Sequence, residues 1–261
     1  GSGNKYFFVG DLRSGYWQLR IKEDSQHKTS FQWRHKSYCF ERLPFGYRCS
    51  GNYFSRAVNT MLDSSPSRKH TFSYIDDVIL CSQTFSDYLK GLRDLLGSIQ
   101  RHGVKLKASK CAFLQSTAKF LGRVITARGI EPDPSFMSAI RDMKPPRSLK
   151  ELVSLVGSLN WVRQYLETRM GESIASGCFS NRMVPLNEVR NAATKDSEYK
   201  WTAAADAALK DIKMRLSSAP TISFPNFQES FHLYTDASLF ACGGVCIQEY
   251  GGRVHLVSAI S

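Results

Sequence analysis

Three carboxylates in this 261-residue chain sit where chemistry is plausible. Asp11 stands in Val9-Gly10-Asp11-Leu12-Arg13-Ser14-Gly15-Tyr16, and Asp76 and Asp77 interrupt an apolar run from Phe72 to Cys81. Adjacent acids in a strand-like run raise each other's pKa and resist joint ionisation unless a cation compensates them. A bound divalent metal is the natural compensation. Two-metal phosphoryl transfer holds its ions about 3.5–4 Å apart with carboxylates carried on neighbouring strands, which makes a nucleotidyl-transfer site one reading of the pattern. The plainer reading is that Asp76-Asp77 is a solvated hairpin turn and that Asp11, ahead of Ser-Gly, is a turn residue.

The elements that must position these acids can be read from periodicity. Residues 5–9 and 72–81 are rich in β-formers, and 29–40 alternates aromatic and polar residues, so a small antiparallel sheet is expected with Asp76-Asp77 at a hairpin turn. Helical spacing of Phe54, Val58, Met61 and Leu62, and of Leu89, Leu92, Leu95, Leu96 and Ile99, predicts helices over 50–62 and 86–100. Strands covered on one face by helices give an α+β layer. After Pro145-Pro146 the texture changes: Ser148-Leu149-Lys150-Glu151 is a capping box opening a helix with Leu149, Leu152, Val153, Val156, Leu159 and Val162 on one stripe. Residues 167–200 read as a long polar loop, about Thr202 to Ser217 as a helix with Ala208, Leu209, Ile212 and Leu216 inward, and 231–235 and 243–248 as strands. The expected organisation is 1–144, a sheet-and-helix domain; 145–228, a helical region; and 229–261, the beginning of a further sheet.

A formal net charge of +12 suits a polyanionic partner, or simply a basic surface. Seven cysteines, at 39, 49, 81, 111, 178, 242 and 246, form no disulfide framework or metal-ligand cluster and read as reduced, mostly buried thiols. No apolar run reaches membrane-spanning length, and Gly1-Ser2-Gly3 has no leader character, so an intracellular protein, cytoplasmic or nuclear, is expected.

The order of motifs narrows the reading. Asp11 to Leu19, then Arg42-Leu43-Pro44-Phe45-Gly46-Tyr47, Tyr74-Ile75-Asp76-Asp77, Leu106 to Phe113 and Phe120 to Thr126 together resemble reverse transcriptases of gypsy-like long-terminal-repeat retrotransposons. Leu149 to Tyr165 resembles the family's connecting helix, and Leu233-Tyr234-Thr235-Asp236-Ala237-Ser238 its first ribonuclease H-like strand. The resemblance implies a palm, a helical thumb or connection, and the start of a ribonuclease H-like sheet. It implies that Asp11, Asp76 and Asp77 are the catalytic metal ligands, for Mg²⁺ or Mn²⁺. Tyr16 would be the steric gate that selects deoxynucleotides, Phe45 and Gly46 the loop beneath the templating base and nucleotide, and Lys107 and Lys110 cations near the departing pyrophosphate. Phe120, Leu121 and Gly122 would be the primer grip. By residue type alone, Tyr16 reads as a core aromatic, the two lysines as solvated, and Phe120-Leu121-Gly122 as a hairpin with a Gly turn.

Departures from the family pattern shape a second expectation. Only ten residues precede Asp11, whereas the family's fingers supply a Lys and an Arg to the triphosphate; Arg48-Cys49-Ser50-Gly51 stands where the family shows Asn-Ala-Pro; and the chain stops soon after Asp236, too early for an intact nuclease. Two functions remain open: an RNA-directed DNA polymerase core acting on an RNA or DNA template-primer, weak or inactive in this form, or a domesticated, non-catalytic scaffold for a protein or RNA partner or a homo-oligomer.

Overall fold

The computed structural model describes residues 3–167, 178–193, 199–237 and 242–260. They form two compact units, Gly3–Phe120 and Leu121–Ser261.

In the first unit the chain runs β1 (Tyr6–Asp11), α1 (Glu23–Gln26), β2 (Phe31–Trp33), β3 (Lys36–Tyr38), α2 (Ser50–Asp63), β4 (Thr71–Tyr74), β5 (Asp77–Ser82), α3 (Phe85–Arg101), β6 (Ala112–Gln115) and β7 (Ala118–Phe120). The principal sheet has the order β4-β5-β1-β6, and its pairings are antiparallel. Phe8, Leu12, Val78 and Leu80 from β1, its end and β5 share a buried cluster with Phe54, Val58, Met61 and Leu62 of α2 and Leu95 and Ile99 of α3. Period-two strands and period-3.6 helices thus present their apolar faces to one another, as the spacing requires. Gly10 is buried where a Cβ would lie 2.8 Å from the Phe8 ring, so a side chain one residue before Asp11 would push that ring out of the core.

Two details differ from the sequence reading. The stripe of α3 is Tyr88, Leu95 and Ile99, with Leu89 at the surface, because the helix starts at Phe85 under a Thr84 cap whose hydroxyl accepts the Asp87 N–H. In addition, the turn between β4 and β5 is Ile75-Asp76; Tyr74 pairs with Asp77, which is therefore the first residue of β5. Ile75 has φ 55°, a left-handed conformation that costs a β-branched residue about 1–2 kcal/mol.

The second unit carries β8 (Arg123–Ile125), β9 (Gly129–Pro132), α4 (Pro134–Asp142), α5 (Leu149–Trp161), α6 (Phe179–Ala192), α7 (Ala203–Leu216), β10 (Ile222–Ser223), β11 (His232–Ala237), β12 (Cys242–Tyr250) and β13 (Arg253–Ile260). Ser148 caps α5 by accepting the Glu151 N–H, and the Glu151 carboxylate accepts the Arg147 N–H, so the capping signal operates one residue further back than the ideal box. The inward stripe of α5 is Leu152, Leu155, Val156 and Leu159, with Val153 exposed. These side chains pack with Leu186 of α6 and Leu209, Ile212 and Leu216 of α7. β11, β12 and β13 form a separate antiparallel sheet.

The expected loop over 167–200 is corrected in part. Residues 168–177 and 194–198 lie outside the described residues, but 179–192 is a helix that buries Phe179, Met183, Leu186 and Val189. Pro185 inside it and the polar residues between the apolar ones mask the stripe, because Pro normally breaks a helix interior. The thiols are free, yet only Cys81 and Cys178 are buried, since Cys39 and Cys242 lie on exposed chain. Among the described residues no helix is long and apolar enough to cross a membrane.

Leu186 is wholly enclosed, so Leu186→Ala should lower unfolding free energy by about 2–5 kcal/mol in a denaturant titration. A loss within experimental error would mean that 179–192 does not pack as this helix.

Candidate active site

Antiparallel pairing of β1 with β5 builds the site. The register runs from Tyr6 opposite Ser82 to Asp11 opposite Asp77, which places two acids as direct cross-strand partners at the end of the ladder. Such partners have Cβ atoms about 4.5–5.5 Å apart, where like charges repel. Asp76 joins them from the tight turn, and its carbonyl accepts the Leu12 N–H at 2.7 Å, so the chain after Asp11 is tied to the turn bearing the acidic pair.

Lys110 is the cation that faces this charge. Its Nζ donates to Asp11 Oδ2 at 2.9 Å, and the Asp11 carbonyl accepts the Lys107 N–H at 2.8 Å. A short 3-10 helix, Ala108–Lys110, brings the ammonium back over the end of β1. The Asp77 carboxyl is held above the usual carboxylate range, first by burial, then by the negative charges of Asp76 and Asp11, with Lys110 opposing the shift. The Lys110 ammonium is raised in turn, chiefly by its hydrogen bond to Asp11. One lysine thus compensates three acids incompletely, and among the described residues no three acidic, His or Cys side chains close around a point as a metal cage would.

The segment after Asp11 is shaped by backbone geometry. Ser14 at φ 55° and Gly15 at φ 23° turn the chain so that Gly15 packs beside Asp76, with room for a Cβ only 3.8 Å from that residue's own. Tyr16 follows, its ring 5.0 Å from Phe45 and 5.6 Å from the buried Phe54. Phe45 is 60% exposed, and Gly46 adopts φ 82° with open space where a Cβ would point. The Ser50 hydroxyl donates to the Pro44 carbonyl at 2.8 Å, pinning this loop to the start of α2.

Asp11, Asp76, Asp77, Lys110, Tyr16 and Phe45 are therefore neighbours, and Gly46 leaves the adjoining loop open to approach. Phe120 is the last residue of the first unit and Leu121 and Gly122 belong to the second, where they turn with φ 50° and 69° and a Cβ on Gly122 would meet the Trp161 ring at 3.4 Å. The carboxylate cluster is assembled without them. Gln18 is a residue that the sequence reading missed. Its amide donates to the Arg13 carbonyl at 2.6 Å and the Lys105 carbonyl at 3.1 Å, while its Oε1 accepts the Lys105 N–H at 2.6 Å. That clamp joins the turn after Asp11 to the segment leading to Lys110; its only signal was a polar residue between Trp17 and Leu19.

The antiparallel β4-β5-β1-β6 sheet with α2 and α3 packed on it is of the reverse transcriptase palm class. Residues 1–125 match the family described as reverse transcriptase (RNA-dependent DNA polymerase), and residues 201–261 match the RNase H-like domain found in reverse transcriptase. Relatives include the retrovirus-related Pol polyprotein from transposon opus of Drosophila melanogaster, 32% identical over 98% of this chain and 25% of the relative. The transposon Tf2-3 polyprotein of Schizosaccharomyces pombe is 29% identical over 95% of this chain and 18% of its own length. Among solved structures, the foamy viral protease-reverse transcriptase in complex with an RNA/DNA hybrid superposes with TM-score 0.81 at 27% identity, covering 98% of this chain and 33% of that one. Residues 1–125 are thus similar to a reverse transcriptase domain and residues 201–261 to an RNase H-like domain, as in retrotransposon Pol polyproteins, and the chain spans a quarter or less of the curated relatives named here.

The raised Asp77 carboxyl carries a stability consequence in metal-free protein. A carboxyl whose folded pKa exceeds its unfolded value contributes stability below the unfolded pKa and loses it as pH rises through the folded pKa, so ionised Asp77 weakens the fold at neutral pH. Asp77→Asn should therefore raise the denaturation midpoint at neutral pH under chelator, and the gain should vanish below the carboxylate range. Equal midpoints for the two proteins at both pH values would contradict the placement of Asp77 against two acids.

Proposed function

We propose that this chain carries the polymerase centre of an RNA-directed DNA polymerase of the gypsy-like type, joining a primer 3′-hydroxyl to the α-phosphate of a deoxynucleotide. The observation that carries the proposal is the register that sets Asp11 directly opposite Asp77, with Asp76 in the adjoining turn. The donor set is carboxylate oxygen only, which fits a hard divalent cation such as Mg²⁺ or Mn²⁺, and such an ion would neutralise the charges of Asp76 and Asp11 that add to burial in raising the Asp77 carboxyl. Asp11, Asp76 and Asp77 would hold it. When bound, the metal would supply activation of the attacking hydroxyl and charge neutralisation at the phosphate.

The protein's own residues divide the remaining work. Lys110 holds a full positive charge beside Asp11, at the position from which an ammonium would neutralise or protonate a departing pyrophosphate. The Tyr16 ring, in contact with Phe45 and Phe54, would exclude a ribose 2′-hydroxyl, and the open Phe45-Gly46 loop would admit close approach of a base. Phe120, Leu121 and Gly122 would grip the primer strand. An RNA/DNA hybrid, the complex in which the foamy viral enzyme was solved, is the proposed template-primer. The basic charge of the chain favours any such polyanion.

The test is templated primer extension on an RNA template with Mg²⁺. Asp76→Asn should reduce extension by at least about a hundredfold, as expected for loss of a group that organises charge at the reacting phosphate. Tyr16→Ala should raise incorporation of ribonucleotides relative to deoxynucleotides. Product that is insensitive to Asp76→Asn would remove the proposal.

A further inference from the structure

Tyr16 and Lys110 reach the carboxylates on separate segments, and one side chain joins those segments by hydrogen bonds to main chain alone. The turn 13–18 carries Tyr16, and the arm 103–110, which follows the end of α3, carries Lys110. Three backbone contacts bring the two together. Leu12 bridges to Leu106, the Lys107 N–H donates to the Asp11 carbonyl at 2.8 Å, and the Arg13 N–H donates to the Lys105 carbonyl at 2.8 Å. Gln18 completes the seam. Its carboxamide meets Lys105 as a neighbouring strand would, accepting the N–H at 2.6 Å and donating to the carbonyl at 3.1 Å, and the same Nε2 donates to the Arg13 carbonyl at 2.6 Å.

That last bond closes residues 13–18 into a ring whose backbone is under tension. Ser14 lies at φ 55° and Gly15 at φ 23°, and inside the ring the Trp17 N–H donates to the Ser14 carbonyl at 2.9 Å. A serine in the left-handed region relaxes toward ordinary φ unless its surroundings fix it. Arg42 braces the same turn from its other end, donating to the Trp17 and Gln18 carbonyls at 3.0 and 3.2 Å. Gln18 is itself only partly buried, so water can replace its bonds and the fold as a whole loses little without it. What it fixes is local: the backbone under the Tyr16 ring and the segment leading to the Lys110 ammonium become one rigid piece.

We propose that Gln18 is a positioning residue that sets sugar selection by Tyr16 and the approach of Lys110 together, acting through the main chain of Arg13 and Lys105. Misplacement of a reacting group by about 1 Å costs on the order of a hundredfold in rate, so a residue that acts on placement alone has a measurable effect. The proposal rests on the polymerase reading for the roles of Tyr16 and Lys110, though not for the seam itself.

The experiment compares kcat/KM for a deoxynucleotide with kcat/KM for the matching ribonucleotide in templated primer extension by the full chain. Gln18→Ala should lower that ratio about five- to tenfold. Gln18→Met, which keeps the length of the side chain but donates no hydrogen bond, should lower it as far. A loss of folded protein would depress both substrates equally and leave the ratio unmoved. In the double variant with Tyr16→Ala the ratio should fall no further than in Tyr16→Ala alone, because the two changes act through one ring. A second measurement needs no catalysis: in metal-free protein, amide exchange at Lys107, whose N–H is bonded to the Asp11 carbonyl, should quicken about tenfold in Gln18→Ala while the β1–β5 ladder stays protected. An unmoved ratio in Gln18→Ala, a ratio retained by Gln18→Met, a further fall in the double variant, or unchanged exchange at Lys107 overturns the role. Absence of Asp76-dependent extension in the unaltered chain would instead remove the polymerase reading and the role in the reaction with it, and the exchange result would stand by itself.

Discussion

The antiparallel ladder between β1 and β5 is the constraint on which the rest of the site depends. It ends with Asp11 opposite Asp77, and the buried faces on either side, Phe8 and Leu12 on one strand and Val78 and Leu80 on the other, hold that register. A slip of one residue would turn each of these side chains to the opposite face and separate the acids. Burial of the core therefore enforces a juxtaposition of like charges that electrostatics opposes. The raised Asp77 carboxyl, the left-handed Ile75 and the Lys110 ion pair are all consequences of that enforcement.

Strain and uncompensated charge concentrate within a few residues, while the helices behind them are ordinary amphipathic packing. Phe54, Val58, Met61, Leu95 and Ile99 do nothing chemical; they supply the apolar burial that outweighs the local penalties. Gly10 allows the Phe8 ring to lie close under the strand that carries Asp11, and Gln18 and Lys105 lock the following turn to the Lys110 segment. Positioning thus comes from backbone-directed hydrogen bonds and from close packing, both of which resist rearrangement more than an exposed ion pair would.

Most of the palm was legible because its signals are local. The stripe of α2 and the acidic turn follow from spacing alone, and the Ser148 cap announces α5. The inward face of α3 was misread by one position because Tyr88, an amphipathic ring whose hydroxyl accepts the Leu114 N–H, replaced Leu89 in the core. Helix α6 escaped notice because Pro185 breaks the pattern that tertiary packing restores.

By itself the sequence determined which residues are candidates for the chemistry, their order, and the resemblance to reverse transcriptases, since these are properties of residue type and spacing. Only the tertiary structure decided that Asp11 faces Asp77 rather than merely sharing a sheet with it, and that Lys110, 99 residues away along the chain, closes on Asp11. It also decided that Tyr16 packs between Phe45 and the buried Phe54. The physical reason is common to all three: each depends on which strand pairs with which and in what register, and that choice is made by burial summed over the whole core.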